Sequence, residues 1–390
     1  MKITIPRLAL TSRRAAAGAA LLAALLMPPG PAESQESSPA LPAQPAQVWR
    51  VNAGAPVPRS PVGAAGKVFF ATQPGRAACV SAADGRQLWS VSLVTSTNSA
   101  AAEETFDAPL LLASNALVLA STLGNVYSLD AATGRSNWIY RAGARIQGAP
   151  AFSPSAGGGS VIVLTQPNGA LHSADLATGK PLWKAADTIR ADGSPAVADG
   201  RVAFGNCDAS LHAFSAADGG KLQSVPLGPD SQVAGGVAMD GNLAFSGSRS
   251  GMIVCADLAG GKIIWSSREA GGEVFTTPAV NDKVVVVGAG SGVVLCLDRA
   301  GGALKWKMPL PGAASSPVIA GSKVVVSAGG ALHILNLADG APGWSQKIGD
   351  DITPPAVVQG RIVVGGQDGY VTAFGAKEED QPPKTPKDAK

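Results

Sequence analysis

Charge is scarce in this chain of 390 residues, with only 15% Asp, Glu, Lys or Arg. With 46% hydrophobic residues and 48 glycines, that scarcity marks a compact, turn-rich β composition and excludes a disordered chain. A basic excess is missing as well. Lys2, Arg7, Arg13 and Arg14 against Glu33 account for the whole formal charge of +3. The neutral remainder lacks the footprint that phosphate-backbone binding needs, so no nucleic-acid partner is expected. The apolar run Ala15–Met27 is shorter than the roughly 20 residues of a membrane-spanning helix. There are only three histidines and four cysteines, and no two cysteines are adjacent. No Ser stands in a G-x-S-x-G setting. Gly157-Gly158-Gly159 reads as a turn between strands, without the following helix a phosphate loop requires.

What the chain does have is one phrase repeated in register: an alternating apolar strand, an Asp/Thr-Gly turn, and a Trp four residues after the turn glycine. The pairs are Gly85–Trp89, Gly134–Trp138, Gly179–Trp183, Gly261–Trp265, Gly302–Trp306 and Gly340–Trp344, and Gly219–Gln223 keeps the spacing without the Trp. Each unit opens with a small residue and usually Pro, as in Ser60-Pro61, Ala149-Pro150 and Thr277-Pro278. Four short strands then follow per roughly 40 residues, the pattern of a propeller blade. Trp49 adds an eighth fourth-strand position with no three strands before it, while Thr353–Phe374 holds three strands and no fourth. The expected fold is therefore an all-β, eight-bladed β-propeller of four-stranded antiparallel blades over 47–375. Its ring is closed by the N-terminal strand, which removes an exposed sheet edge.

Register also assigns the chemically attractive residues to packing. Cys79, Cys255 and Cys296 fall six residues before the turn glycine, where other blades have Ser128, Ser173 and Ala213, so the slot selects small side chains. Cys207 sits in a turn with no ligand set around it. His172, His212 and His333 occupy one third-strand slot, shared with Tyr127, on three different blades and need not converge on a metal. Trp49, Trp89, Trp138, Trp183, Trp265, Trp306 and Trp344 are expected to pack on the neighbouring blade's turn, with the indole N–H reaching a carbonyl. No catalytic, cofactor-binding or metal-binding residue is assigned, and no cofactor is expected.

The motifs Leu129-Asp130-Ala131-Ala132-Thr133-Gly134 with Trp138, Ala174–Gly179 with Trp183, and Cys255-Ala256-Asp257-Leu258 with Trp265 resemble the pyrroloquinoline-quinone-type propeller repeat. The resemblance covers nearly all of 47–375. It implies one of two branches. In quinoprotein dehydrogenases, eight blades hold the quinone and a calcium ion on the axis. A cofactor-free branch includes the propeller lipoprotein of the outer-membrane barrel-assembly machinery. The dehydrogenases place a vicinal cysteine disulfide over the quinone and an indole beneath it; here no cysteines are adjacent and every Trp belongs to the blade register. The cofactor-free branch is the reading taken: a non-catalytic, exported scaffold for protein or ligand binding, with a protein partner in the cell envelope. A quinone-dependent oxidoreductase is the alternative.

Residues 1–34 read as an export signal, with a basic start, the apolar stretch and small residues at Ala32-Glu33-Ser34. Ser12-Arg13-Arg14 leaves ordinary and twin-arginine export both open. The expected location is periplasmic or secreted. No Cys precedes Cys79, so no lipid anchor is expected. Residues 35–46 read as a flexible linker and 376–390 as a disordered tail, and a monomer is expected. Binding is expected at the loops running from each fourth strand inward to the next blade, where charge collects: Glu103, Glu104, Phe106, Asp107, Arg145, Gln147, Arg190, Asp192, Asp230, Gln232, Glu273, Phe275 and Asp351. The longest of these loops, with Glu103, Glu104 and Phe106, is the first choice for a partner contact.

Overall fold

The computed structural model describes residues 40–93, 104–185 and 188–376. The export signal expected over 1–34 and the tail past 376 lie outside them. Among the described residues, thirty-two strands, β1 to β32 in chain order, form eight four-stranded sheets. Blade 1 is β2 (Val62–Ala64), β3 (Lys67–Thr72), β4 (Arg76–Ser81) and β5 (Gln87–Ser92), all antiparallel. We call the four strands of a blade A to D from the axis outward. The short A strands pack side by side in a ring that closes where β30 (Ala356–Val358) meets β2.

Closure is achieved as the repeat predicts. Blade 8 is β30, β31 (Arg361–Gly365) and β32 (Tyr370–Gly375), and β1 (Ala46–Asn52) supplies its D strand, with Ala46 opposite Gly375 and Asn52 opposite Tyr370. The first and last strands thus share one ladder, and no D-strand position in the ring is left vacant.

The core is eight apolar clusters, one in each seam between consecutive blades. Strand period two produces this directly, because successive side chains point to opposite faces. In β3, Val68 and Phe70 face blade 8 with Val363 and Val371, while Phe69 and Ala71 face blade 2 with Leu117 and Leu119. Both faces of a blade are buried, so the B and C strands read as near-continuous apolar runs such as Val284–Gly288. Each such Val, Leu or Phe contributes about 1.5–3 kcal/mol of burial.

A girdle of tryptophans joins the seams at the outer edge. Six of the seven Trp rings lie on the turn glycine of the next blade: Trp49 on Gly85, Trp89 on Gly134, Trp138 on Gly179, Trp183 on Gly219, Trp265 on Gly302 and Trp306 on Gly340. A Cβ at those glycines would sit 2.5–2.9 Å from the ring, and their φ values are positive, +73° at Gly134, so two separate demands select glycine. The indole N–H then donates to the same turn, as Trp138 does to the Leu176 carbonyl at 2.9 Å and Trp306 to that of Leu337 at 2.9 Å. The turns are themselves fixed by their Asp. Asp175 accepts the Thr178 amide at 2.8 Å and its hydroxyl at 2.6 Å, and the Thr178 hydroxyl foremost holds its carboxyl below the usual carboxylate value. Cys79, Ser128, Ser173, Cys255 and Cys296 lie directly across the C–D ladder from a Trp that covers a glycine, and Ile334 stands opposite Trp344, which covers none. In the seam between blades 4 and 5, Gln223 covers Gly261 in place of an indole.

One expectation needs correction at the closure. The composition of 35–46 suggested a flexible linker, yet from residue 40 it packs on blades 7 and 8. Blade 8 joins its C and D strands without a covalent turn, so Trp344 has no turn glycine to cover. Leu41 is buried in the cluster that Trp344 packs against, the rings of Trp344 and Phe374 meet at 5.5 Å, and Lys323 Nζ donates to the Leu41 carbonyl. Gln44 Nε2 donates to Gly343 at 3.1 Å. The buried apolar area comes from one leucine, too small a signal to stand out in a Pro/Ala-rich stretch.

Candidate functional site

The D–A loops share one face of the ring with the B–C turns. Each loop is stitched to the turns of both blades it connects. Val57, Ile146, Ala191, Val233, Val274 and Ala314 donate their N–H to the B–C turn of the preceding blade, at Gly366, Ser121, Gln166, Asn206, Ser248 and Ala289. The residue just before receives an N–H from the following blade's turn, as Arg145 does from Gln166, Arg190 from Cys207, Gln232 from Arg249 and Glu273 from Gly290. The donor residue's side chain is buried in the seam, and Gly205, Gly247 and Gly365 make room for Val233, Val274 and Val57. The result is a hydrogen-bonded rim whose outward side chains differ from loop to loop.

The rim carries its polar groups in two connected arcs. Asp107 pairs with Arg145 at 2.8 Å and accepts from Gln73 at 3.2 Å. Asp192 is the hub of the second arc. It takes Arg190 at 2.9 Å, Arg249 at 3.7 Å and the Gln166 amide at 2.8 Å, and Gln166 also donates to Gln147 at 2.6 Å. Arg249 lies over the Phe275 ring, 5.2 Å from its centroid, and that ring is 42% exposed. Two arginines thus meet on one carboxylate beside an exposed aromatic. Arg190 and Arg249 both keep a large part of their surface in solvent.

The other expected rim residues divide. Asp230, Glu273 and Asp351 are exposed, and Gln232 is half-buried. Glu103 lies outside the described residues. Glu104 and Phe106 are corrections. Phe106 is 1% exposed and packs edge-on to Tyr127 with centroids 5.8 Å apart. Glu104 is 3% exposed and accepts from Asn125 at 3.2 Å. Phe106 occupies the same anchor slot as Val57 and Ile146, so it holds the loop down and cannot face a partner. Residues on the B–C turns were missed: Gln73, Gln166 and Arg249 reach the loops from a different part of the chain. Their signal was a polar residue repeated just after the second strand.

The histidines and the thiols of Cys79, Cys255 and Cys296 stay in the walls, while Cys207 lies on the rim turn that donates to the Arg190 carbonyl. His172 meets the Tyr140 hydroxyl at 2.8 Å, His212 the Ser224 hydroxyl at 2.8 Å and His333 the Ala328 carbonyl at 3.4 Å, each in its own blade or seam. Among the described residues no group of three His, Cys, Asp or Glu could hold a metal ion, and no helix is long and apolar enough to cross a membrane. Burial pushes the Cys79 thiol up to about 12 and those of Cys255 and Cys296 to about 11, so at neutral pH they remain protonated and poorly nucleophilic.

The sequence model of the family described as outer membrane protein assembly factor BamB matches residues 41–208, 147–224, 207–307 and 290–381. The chain belongs to the BamB family. No curated protein matches it. Among solved structures, BamB from Moraxella catarrhalis is 21% identical, with a TM-score of 0.70 over 87% of this chain and 99% of that one. The computationally designed Ika8 protein is 19% identical, with a TM-score of 0.71 over 83% of this chain and 96% of that one. Quinohemoprotein alcohol dehydrogenase from Comamonas testosteroni is 15% identical, with a TM-score of 0.65 over 87% of this chain and 78% of that one. At these identities the structural likeness speaks for the fold alone. The similar structures include a BamB, a designed protein and an alcohol dehydrogenase, so the fold by itself does not select a function.

Proposed function

We propose that this BamB-family chain is a non-catalytic, exported scaffold that binds a protein partner in outer membrane protein assembly, and that it does so with the rim arc of Arg190, Asp192, Arg249 and Phe275. One observation carries the reading. On this rim, charged and aromatic side chains stand outward on a rigid, hydrogen-bonded frame, while the repeated Trp, His and Cys are taken up in packing. Paired arginines beside an exposed phenylalanine suit a partner segment that presents a carboxylate next to an apolar side chain, the arrangement from which interface anchors are built.

The test is capture from envelope extracts with the full chain immobilised, comparing wild type with the double variant Arg249→Ala/Phe275→Ala. The variant is expected to lose the captured partner by at least tenfold with an unchanged melting temperature. Equal recovery of the same partner by both proteins sinks the assignment of this arc. Cell fractionation checks the location, and recovery in the cytoplasm contradicts the export part of the reading.

A further inference from the structure

A cavity of about 360 Å³ opens on the same face at the opposite side of the ring, where blades 7, 8, 1 and 2 meet. Its lining includes Arg59, Gln73, Asp107, Asp351, Ile352 and Gln367. The repeat sets Arg59 apart in the wall of this cavity. Two residues past the buried anchor, the loops between blades 2 and 3, 3 and 4, and 4 and 5 have Gly148, Gly193 and Gly235. A Cβ on any of these would collide with the next loop's backbone, Gly148 against Gly193, Gly193 against Gly235 and Gly235 against Phe275, so these loops stack closely. The loop entering blade 1 places Arg59 in that slot. The loops entering blades 2, 6, 7 and 8 have Ala108, Thr276, Ser316 and Pro354 there, so among the described residues Arg59 is the charged side chain in this slot.

The charges of the cavity are only partly matched. Asp107 is already held by Arg145 at 2.8 Å and by Gln73. Arg59 makes no ion pair among the described residues, and its Nε is buried without a hydrogen-bond partner, a costly state for a guanidinium edge. Asp351 lines the same space, is exposed, and makes no side-chain ion pair among the described residues. One unmatched cation and one unmatched carboxylate thus face one half-open cavity without joining each other, and Ile352 supplies apolar wall between polar groups. A simple anion would answer Arg59 and be repelled by Asp351; a simple cation would do the reverse.

We propose that this cavity is a binding site for a small zwitterion, a free amino acid or a dipeptide, whose carboxylate pairs with Arg59 and whose ammonium pairs with Asp351. The volume lies at the lower end of small-molecule pockets, which suits a ligand of that size. Gln73 and Gln367 add carboxamides able to hold a peptide bond. This site is separate from the rim arc of the proposed function and does not depend on it.

The experiment is isothermal titration calorimetry on the full chain with L-leucine, L-leucyl-L-alanine, the N-acetylated dipeptide and the dipeptide amide. Saturable binding of the free amino acid or the free dipeptide is expected, and comparing the two identifies which size the site takes. Acetylation and amidation are each expected to weaken binding at least tenfold, as are Arg59→Gln and Asp351→Asn, with melting temperatures unchanged. Should Arg59→Gln fail to fold, Asp351→Asn, altered at an exposed side chain, still decides the matter. The proposal is overturned if no probe shows saturable heat at about millimolar concentration, the weak end of specific affinity. It is equally overturned if the blocked peptides bind like the free one, or if a folded variant binds like wild type.

Discussion

The outer girdle and the rim answer opposite requirements with the same repeat. In the girdle, one contact recurs around the ring: an indole on the next blade's glycine, with its N–H on that blade's turn. On the rim, the backbone contacts recur and the side chains do not. The difference separates two jobs. A girdle residue is selected by its neighbour's backbone, so variation is penalised wherever an indole lies on a glycine. A rim side chain points away from a frame already satisfied by its own amides and carbonyls, so it can change without disturbing the fold. Arg190, Arg249 and Phe275 on one side and Arg59 on the other use that freedom.

Breaking the girdle at its closure should have the largest effect. Removal of residues 40–52 takes away the D strand of blade 8, Trp49 with its hydrogen bond to Ala82 at 2.9 Å, and Leu41 beneath Trp344. Loss of cooperative urea unfolding is expected, and a transition like wild type would show that closure is dispensable. Next comes Trp138→Ala, which empties a largely buried ring site and leaves the Leu176 carbonyl without its donor. A loss of about 3–5 kcal/mol is expected from denaturant midpoints.

That ranking bears on what could be read beforehand. Blade number, closure and the Trp slot were legible because each rests on a fixed spacing that short local turns enforce. Phe106 was legible in principle: it stands in the slot of Val57, Ile146, Val233 and Val274, all buried. It was misplaced because its loop is longer before the anchor and one residue shorter after it, with Pro109 three residues on where Pro61 follows Val57 by four. Arg249 was not legible as a partner of Asp192. Nothing local joins a B–C turn of blade 5 to the loop entering blade 4, and only the curvature of the ring brings them to 3.7 Å. Leu41 failed for a different reason, since a single buried side chain in a proline-rich stretch leaves no periodicity.

The seam lacking an indole allows the comparison to be sharpened by gain instead of loss. Gln223→Trp places a ring over Gly261 and gives the Leu258 carbonyl the donor that its counterparts have. Stabilisation of about 1 kcal/mol in the urea midpoint is expected. A destabilised variant would mean that this seam has been repacked around the glutamine.

Acid gives a smaller effect, confined to the girdle turns. The Asp175 carboxyl is held below 3.8, first by the Thr178 hydroxyl and then by the Thr178 amide, and Asp130 is held down in the same way by Thr133. A depressed value in the folded state means that the unfolded chain binds the proton first. This stabilisation is therefore complete above about pH 3.8 and lost as pH falls through the folded value. Asp175→Asn should lower the urea midpoint at about pH 6 and narrow its gap to wild type below about pH 3. A gap independent of pH would show that the carboxylate charge is not what fixes the turn.

The smallest change in stability should come from the rim, although the arc is where binding is expected to reside. Arg249→Ala removes a partly exposed ion pair at 3.7 Å and a cation–aromatic contact, and it leaves Asp192 still held by Arg190 and Gln166. Exposed pairs of this kind contribute about 0–1 kcal/mol, so a shift within about 0.5 kcal/mol is expected. The amide that Arg249 donates to the Gln232 carbonyl at 2.9 Å belongs to the backbone and survives the substitution. If the variant instead loses stability on the scale of Trp138→Ala, then the rim side chains are part of the frame and the division between girdle and rim fails. A stable variant that no longer captures its partner places recognition in side chains the fold does not need.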